Sequence, residues 1–155
     1  MTSKQAPTGD AVRPLTADEE AIVRSLPLLI YALPRAIDTD MTQEQRMSAT
    51  EYLALMHLSE APGRRLRMGG LSSACEMSLS GTTRIVHRLE KEGFIQRVRC
   101  DHDGRSWHAA LTDAGFARLE EAWPSNLAAV RRHFLDHLTG LDLKTLAAAL
   151  HKVAT

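Results

Sequence analysis

The sequence predicts a mainly α-helical protein carrying one short β-hairpin, and three observations support this. Only 5% of the 155 residues are aromatic while Ala, Leu and Arg are plentiful, a composition suited to helix-on-helix packing. Apolar residues recur at helical spacing over most of the chain beyond residue 15. Two strand-like runs, Phe94, Ile95 and Val98 and then Trp107 to Leu111, flank the polar turn-forming segment Cys100-Asp101-His102-Asp103-Gly104-Arg105-Ser106. A hydrophobic content of 44% is enough to build a core, and the length fits a single domain.

Residues 1–15 are polar and contain Pro7, Gly9 and Pro14, which predicts a frayed N-terminus unlike a signal peptide. Residues 16–155 then form one domain. In its first helix, from Thr16 to about Ile37, the apolar positions are Ile22, Leu26, Leu29, Ile30, Leu33 and Ile37, and Thr16 with Glu19 supplies a capping box. Pro27 and Pro34 each remove an amide donor, so a bend is expected at one or both. The polar stretch 38–47 reads as a loop. A second helix starts at Ser48 with Glu51 three residues on, carries Tyr52, Leu53, Leu55, Met56 and Leu58, and stops before Pro62-Gly63. A brief strand at Arg67-Met68 and a short helix over 70–75 follow. The next helix begins at Ser78, a good N-cap, and ends near Gly93, a good left-handed cap. After the hairpin, a helix opens at Thr112, carries Phe116 and Leu119, is expected to break at Pro124, and resumes through Leu127, Val130, Phe134 and Leu138. A final helix is expected over 141–153.

The helix after Ser78 has two different faces. Thr82, Ile85, Val86 and Leu89 fall on one stripe and should pack inward, whereas Ser80, Thr83, Arg84, His87 and Lys91 fall on a neighbouring stripe, with Arg88 at its flank. A short helix, a polar-faced helix and a basic hairpin in that order outline a winged helix-turn-helix, which places a helix and a hairpin tip against one DNA duplex. Short hydroxyls allow close approach to base edges, and Arg84 can contact guanine O6 and N7 together. Arg105 at the hairpin suits the minor groove, with Asp103 able to hold its guanidinium and Gly104 allowing the turn.

The formal net charge is zero, yet the charges are segregated. Residues 64–105 hold nine basic side chains against five acidic ones, while residues 1–60 hold five against nine. The positive field therefore lies where a duplex would be steered.

The segments Leu71-Ser-Ser-Ala-Cys-Glu-Met-Ser78, Thr83-Arg84-Ile-Val-His-Arg-Leu-Glu-Lys-Glu-Gly-Phe94, Asp103-Gly-Arg105 and Leu111-Thr-Asp-Ala-Gly115 resemble the MarR (multiple antibiotic resistance regulator) family, and the flanking helices extend the resemblance over roughly residues 16–153. The resemblance implies a homodimer whose terminal helices, here 16–47 and 113–155, intertwine, and a winged helix-turn-helix lobe over 48–112. It further implies binding to a pseudo-palindromic operator, usually as a repressor relieved by a small molecule or an oxidant. Carried over by position, Ser80, Thr83, Arg84, His87 and Arg88 fall on the recognition helix and Asp103 and Arg105 on the wing; Ser78 and Lys91, at the two ends of the same helix, complete the candidate DNA-binding set. Small aromatic effectors of the family sit between the dimerisation helices and the lobe, which makes Tyr31, Tyr52, Met56 and His57 the candidate neighbours. The chain departs from the family at Thr82, a place more often aliphatic, and at the paired prolines. Apolar faces on the first and last helices exceed what the lobe can cover, which also points to a dimer.

Other readings compete with this one. Cys75 and Cys100 are too few for a disulfide framework; Cys100 lies beside Arg99 and near His102, a setting that can acidify a thiol for redox sensing, but peroxide sensors of the family place that cysteine in the first helix, where this chain has none. His133 and His137, with Asp136 between them, have a zinc-compatible spacing but no further ligands to complete a set. A winged helix can also serve protein contacts alone, though Arg84, Arg88 and Lys91 count against that. No Gly-x-Ser-x-Gly elbow, phosphate-binding loop or acidic dyad indicates an enzyme, and no cofactor is expected. No apolar run reaches the roughly 18 to 20 residues that span a bilayer, so a cytoplasmic protein without membrane contact is expected.

Overall fold

The computed structural model describes residues 12–100 and 103–154, with side chains for all of these except residues 100 and 103–105. Among the described residues the order is α1 (Ala17–Gln45), α2 (Ala49–Glu60), β1 (Arg65–Arg67), α3 (Met68–Ala74), α4 (Leu79–Lys91), β2 (Ile95–Cys100), β3 (Asp103–Leu111), α5 (Asp113–His133) and α6 (Leu143–Ala154). Short 3-10 turns at Pro62–Arg64 and Leu135–Leu138 complete it.

Helix α1 is longer than expected. It runs unbroken past Pro27 and Pro34, and it continues through the polar stretch read as a loop. The prolines lie two helical turns apart, so their missing amides fall on one stripe, and both residues are exposed, which leaves water to satisfy the freed carbonyls. The polar turn is held because Met41, one turn beyond half-buried Ile37, is fully buried, worth about 1.5–3 kcal/mol. Its acids are also used: Asp40 accepts from Arg132 at 2.7 Å and meets His133 at 2.8 Å, and Asp38 accepts the Ala49 amide at 2.8 Å. Arg118 of α5 binds both the side chain and the backbone carbonyl of Gln45, and Arg46 closes the helix with φ 52°.

Thr16 and Ser48 both form the expected capping boxes, with Glu19 and Glu51 respectively. Residues 12–15 precede α1 as non-helical chain, and Arg13 pairs with Glu19. Two further boundaries shift. The brief strand lies at Arg65–Arg67 rather than at Arg67-Met68, and α5 runs through Pro124 without a break. The break comes instead at Phe134, whose φ of −138° and ψ of −67° leave the helix. His137 therefore sits on the following 3-10 turn while His133 ends α5 and is engaged by Asp40, so the pair does not share a helix face. Among the described residues no cluster of three metal-ligating side chains occurs.

The three strands form an antiparallel sheet in the order β1-β3-β2, with Arg65 opposite Ala110 and Ile95 opposite Leu111. The lobe core sits between this sheet and α2, α3 and α4, and includes Tyr52, Leu55, Leu58, Leu71, Val86, Leu89 and Ile95. Helix α1 packs on α5, whereas α6 buries none of its residues. Ile22, Leu26, Ile30, Trp123, Leu143 and Leu150 remain exposed on these three helices. None of the described helices is long and apolar enough to cross a membrane.

Candidate nucleic-acid interface

Helices α3 and α4 are joined by a tight turn in which Glu76 takes φ 50° and the Met77 amide donates to Ser72 O at 3.0 Å. Ser78 then caps α4, its Oγ accepting from the Gly81 amide at 3.1 Å. The Thr82 hydroxyl, at a place more often aliphatic, lies buried within 3.0 Å of Ser72 Oγ and donates to Ser78 O at 3.1 Å. A satisfied buried hydroxyl costs little and ties the two helices together. Val86 and Leu89 are buried beside it and Ile85 is half-buried, so this face is the inward one.

The outward face is as the spacing predicts: Ser80, Thr83, Arg84, His87, Arg88 and Lys91 are all exposed. Ser80 Oγ lies 3.2 Å from Ser78 Oγ and Thr83 Oγ1 donates to Leu79 O at 2.8 Å, which keeps both hydroxyls close to the helix surface. Arg84 has no ion-pair partner among the described residues and borders two hollows. One, of about 430 Å³, lies against the start of α2 and is lined by Ser48, Glu51, Met77 and Arg88. The other, of about 650 Å³, is a cleft bounded by Leu79, Ser80, Thr83 and His87 of α4 and by Arg97 of β2.

Two arginines are partly engaged within the protein. Arg88 Nε lies 2.9 Å from Glu51 Oε1 and 3.8 Å from Glu92 Oε1. Glu51 is 3% exposed, and its other oxygen accepts the Ser48 amide at 2.8 Å, so one buried carboxylate closes the cap of α2 and holds the flank of α4. Arg97 Nε approaches Glu90 Oε2 to 3.2 Å, an ion pair without hydrogen-bond alignment. Sequence reasoning recognised Glu51 only as a cap and missed Arg97. The period of two along β2 was the available signal, since it places Arg97 on the side of buried Ile95 and hence toward α4.

The hairpin differs from the expected long loop. β3 already begins at Asp103, paired with Cys100, so the backbone of Asp103, Gly104 and Arg105 is strand rather than turn. Asp101 and His102 lie outside the described residues, as do the side chains of Cys100, Asp103 and Arg105. Further along, Arg99 stacks on the ring of Trp107, its cross-strand partner, with 5.1 Å from guanidinium carbon to ring centroid. Cys75 is half-buried, and burial pushes its thiol above the ordinary range, opposite to what a reactive thiolate needs.

Of the four residues considered for an effector, three lie on α2 and the fourth on α1. Tyr31 is 71% exposed on α1, Tyr52 is 3% exposed in the lobe core, and Met56 and His57 are half-buried on α2. Burial and the nearby Glu60 raise the Tyr52 phenol above its ordinary value. None of the four lines the cleft of about 860 Å³ between α1, α2 and α5, whose walls include Leu33, Pro34, Ile37, Leu53 and Val130 with Asp38, Thr50 and Asn126.

Comparison with known proteins finds the chain similar to transcriptional regulators of the MarR family. The sequence profile of the MarR family matches residues 47–106. The solved structure of Sco3205, a MarR family transcriptional regulator from Streptomyces coelicolor in complex with DNA, is 34% identical with a TM-score of 0.81, covering 92% of this chain and 89% of that one. AbsC, a MarR family transcriptional regulator of the same organism, is 32% identical with a TM-score of 0.79, covering 92% and 96%. The transcriptional repressor MprA of Escherichia coli (strain K12) is 34% identical over 84 residues, 54% of this chain and 48% of that protein. The chain thus spans about half the length of the curated relatives it matches first.

Proposed function

The chain belongs to the MarR family of transcriptional regulators, and on that footing we propose that it binds double-stranded DNA as a homodimer. It reads a pseudo-palindromic operator sequence-specifically and acts as a ligand-responsive repressor in the cytoplasm, without a catalytic role. The observation that carries this reading is the exposed row Ser80, Thr83, Arg84 and His87 on α4, lying beside a cleft that β2 walls on its other side. Ser78, through its cap, sets the start of that row; Lys91 and the exposed part of Arg88 serve phosphates, and Asp103 and Arg105 serve the adjoining minor groove. Exposed, uncompensated Arg84 favours DNA over a protein-only partner, for which a neutral helix face would suffice.

For a small aromatic effector, the cleft between α1, α2 and α5 is the better site than the surroundings of Tyr31, Tyr52, Met56 and His57, because its walls are largely apolar and it adjoins both the long helices and the lobe. The test is titration of a duplex enriched from a randomised pool by the protein itself. With roughly six to ten phosphates neutralised per dimer, affinity should fall about 10³ to 10⁵-fold between 50 and 200 mM salt. Absence of binding, or a flat salt response, removes the reading.

A further inference from the structure

We propose that Arg99 and Trp107 form a second DNA-backbone contact on the side of the wing, in which the indole holds the guanidinium ready for a phosphate that α4 does not reach. The proposal rests on the DNA-binding reading and adds to it a site that the sequence did not single out. The two residues are direct partners across the β2–β3 ladder, and the guanidinium carbon lies 5.1 Å from the ring centroid. The alternation of strand side chains puts Arg99 on the same sheet face as Arg97 two residues earlier. Arg97 lines the cleft shared with Leu79, Ser80, Thr83, Arg84 and His87, so this face of the hairpin continues the surface that α4 presents.

The chemistry differs between the two arginines. Arg97 is half-buried and its charge is met by Glu90, whereas Arg99 is exposed and has no carboxylate within ion-pair distance among the residues whose side chains are described. A guanidinium stacked on an aromatic face keeps its in-plane N–H groups available, and these match two oxygens of a phosphate. Trp107 is 41% exposed, one of only two tryptophans in an aromatic-poor chain. Stacking limits the rotamers of a long side chain before binding, which lowers the entropy lost when a phosphate is engaged. A position on the strand rather than on α4 suits the groove wall, where the contact is made to backbone and carries no base information. Arg99 is therefore the contacting residue and Trp107 the positioning residue.

The experiment measures binding of the enriched duplex and of a mixed-sequence duplex by anisotropy across a salt series, for the unsubstituted chain, Arg84→Ala, Arg99→Ala, Arg99→Lys, Arg99→Gln and Trp107→Ala. Arg99→Ala should weaken both duplexes alike, roughly tenfold. The slope of log affinity against log salt should fall by about two per dimer, one phosphate per protomer. Arg99→Lys should restore the slope, and Trp107→Ala should lose affinity while keeping it, because the charge remains. Should Arg99→Ala lower the melting midpoint, Arg99→Gln reads the slope with the stem retained. Arg99→Ala or Arg99→Gln with unchanged affinity and slope, beside a weakened Arg84→Ala, overturns the proposal and leaves the DNA reading standing. A parent chain that binds neither duplex overturns both.

Discussion

Arg84 occupies the point where the hollow beside α2 meets the cleft beside β2, and its charge is uncompensated among the described residues. A guanidinium so placed can form the paired contact to guanine O6 and N7. Arg84→Ala is expected to relax base preference at one position per half-site at a cost of about 1–3 kcal/mol. Selection of bound sequences by the variant and its parent checks this, and an identical logo would remove Arg84 from the reading set. Glu51 works at the same scale but through structure, since one buried carboxylate serves the Ser48 amide and Arg88 together. Glu51→Ala should destabilise the lobe by about 1 kcal/mol from the cap, seen as a lower denaturant midpoint. It should also weaken duplex binding, because the flank of α4 loses its tether. The cap was readable from Ser48 and Glu51 alone. The tether was not, because it joins residues 51 and 88 through a contact that no local spacing encodes.

At the scale of elements, the junction between sheet and α5 is fixed by a glycine. A side chain at Gly115 would put its Cβ 2.1 Å from the Phe94 carbonyl oxygen, a backbone atom with no room to retreat. Thr112 reinforces the junction, its amide donating to Phe94 O at 3.1 Å and its hydroxyl to Gly93 O at 2.7 Å. Gly115→Ala is therefore expected to cost about 3 kcal/mol or more, read by chemical denaturation, since overpacking against backbone forces the whole helix to move. A near-neutral outcome would mean that α5 does not start against the end of α4. Helix α1 teaches the complementary lesson. Its polar last turns argued locally for a loop, yet packing of Met41 and the pairing of Asp40 with Arg132 and His133 keep them helical. Propensity is a weak prior where tertiary contacts oppose it.

Over the whole molecule, apolar surface is left uncovered on the helices that flank the lobe. Ile22 is 63% exposed, Ile30 61% and Trp123 56%, and no residue of α6 is fully buried. A second copy supplying the same faces would cover them, and would set the two α4 helices about one helical turn of DNA apart, roughly 34–36 Å. Ile30→Asp is expected to raise the dimer dissociation constant by about a hundredfold or more, since two apolar side chains are lost and two carboxylates must be desolvated per dimer. Sedimentation should then show the mass of one chain, with the lobe still folded and operator affinity sharply reduced. A dimer of unchanged stability would place the interface elsewhere.

What the sequence determined by itself was whatever depends on neighbours within a turn or two of chain. The caps at Thr16, Ser48 and Ser78, the inward stripe Thr82, Val86 and Leu89 with its outward counterpart, and the existence of the hairpin all follow from spacing and side-chain chemistry. The tertiary structure alone decided which charges are already satisfied and which are left for a partner. Arg88 and Arg97 meet Glu51 and Glu90, Arg99 meets an indole, and Arg84 meets no partner among the described residues. Electrostatic partners are chosen by distance in space, and of these pairs only Arg99 and Trp107 sit on one local hairpin. Residue 51 lies 37 positions from Arg88, a separation across which sequence periodicity carries no information.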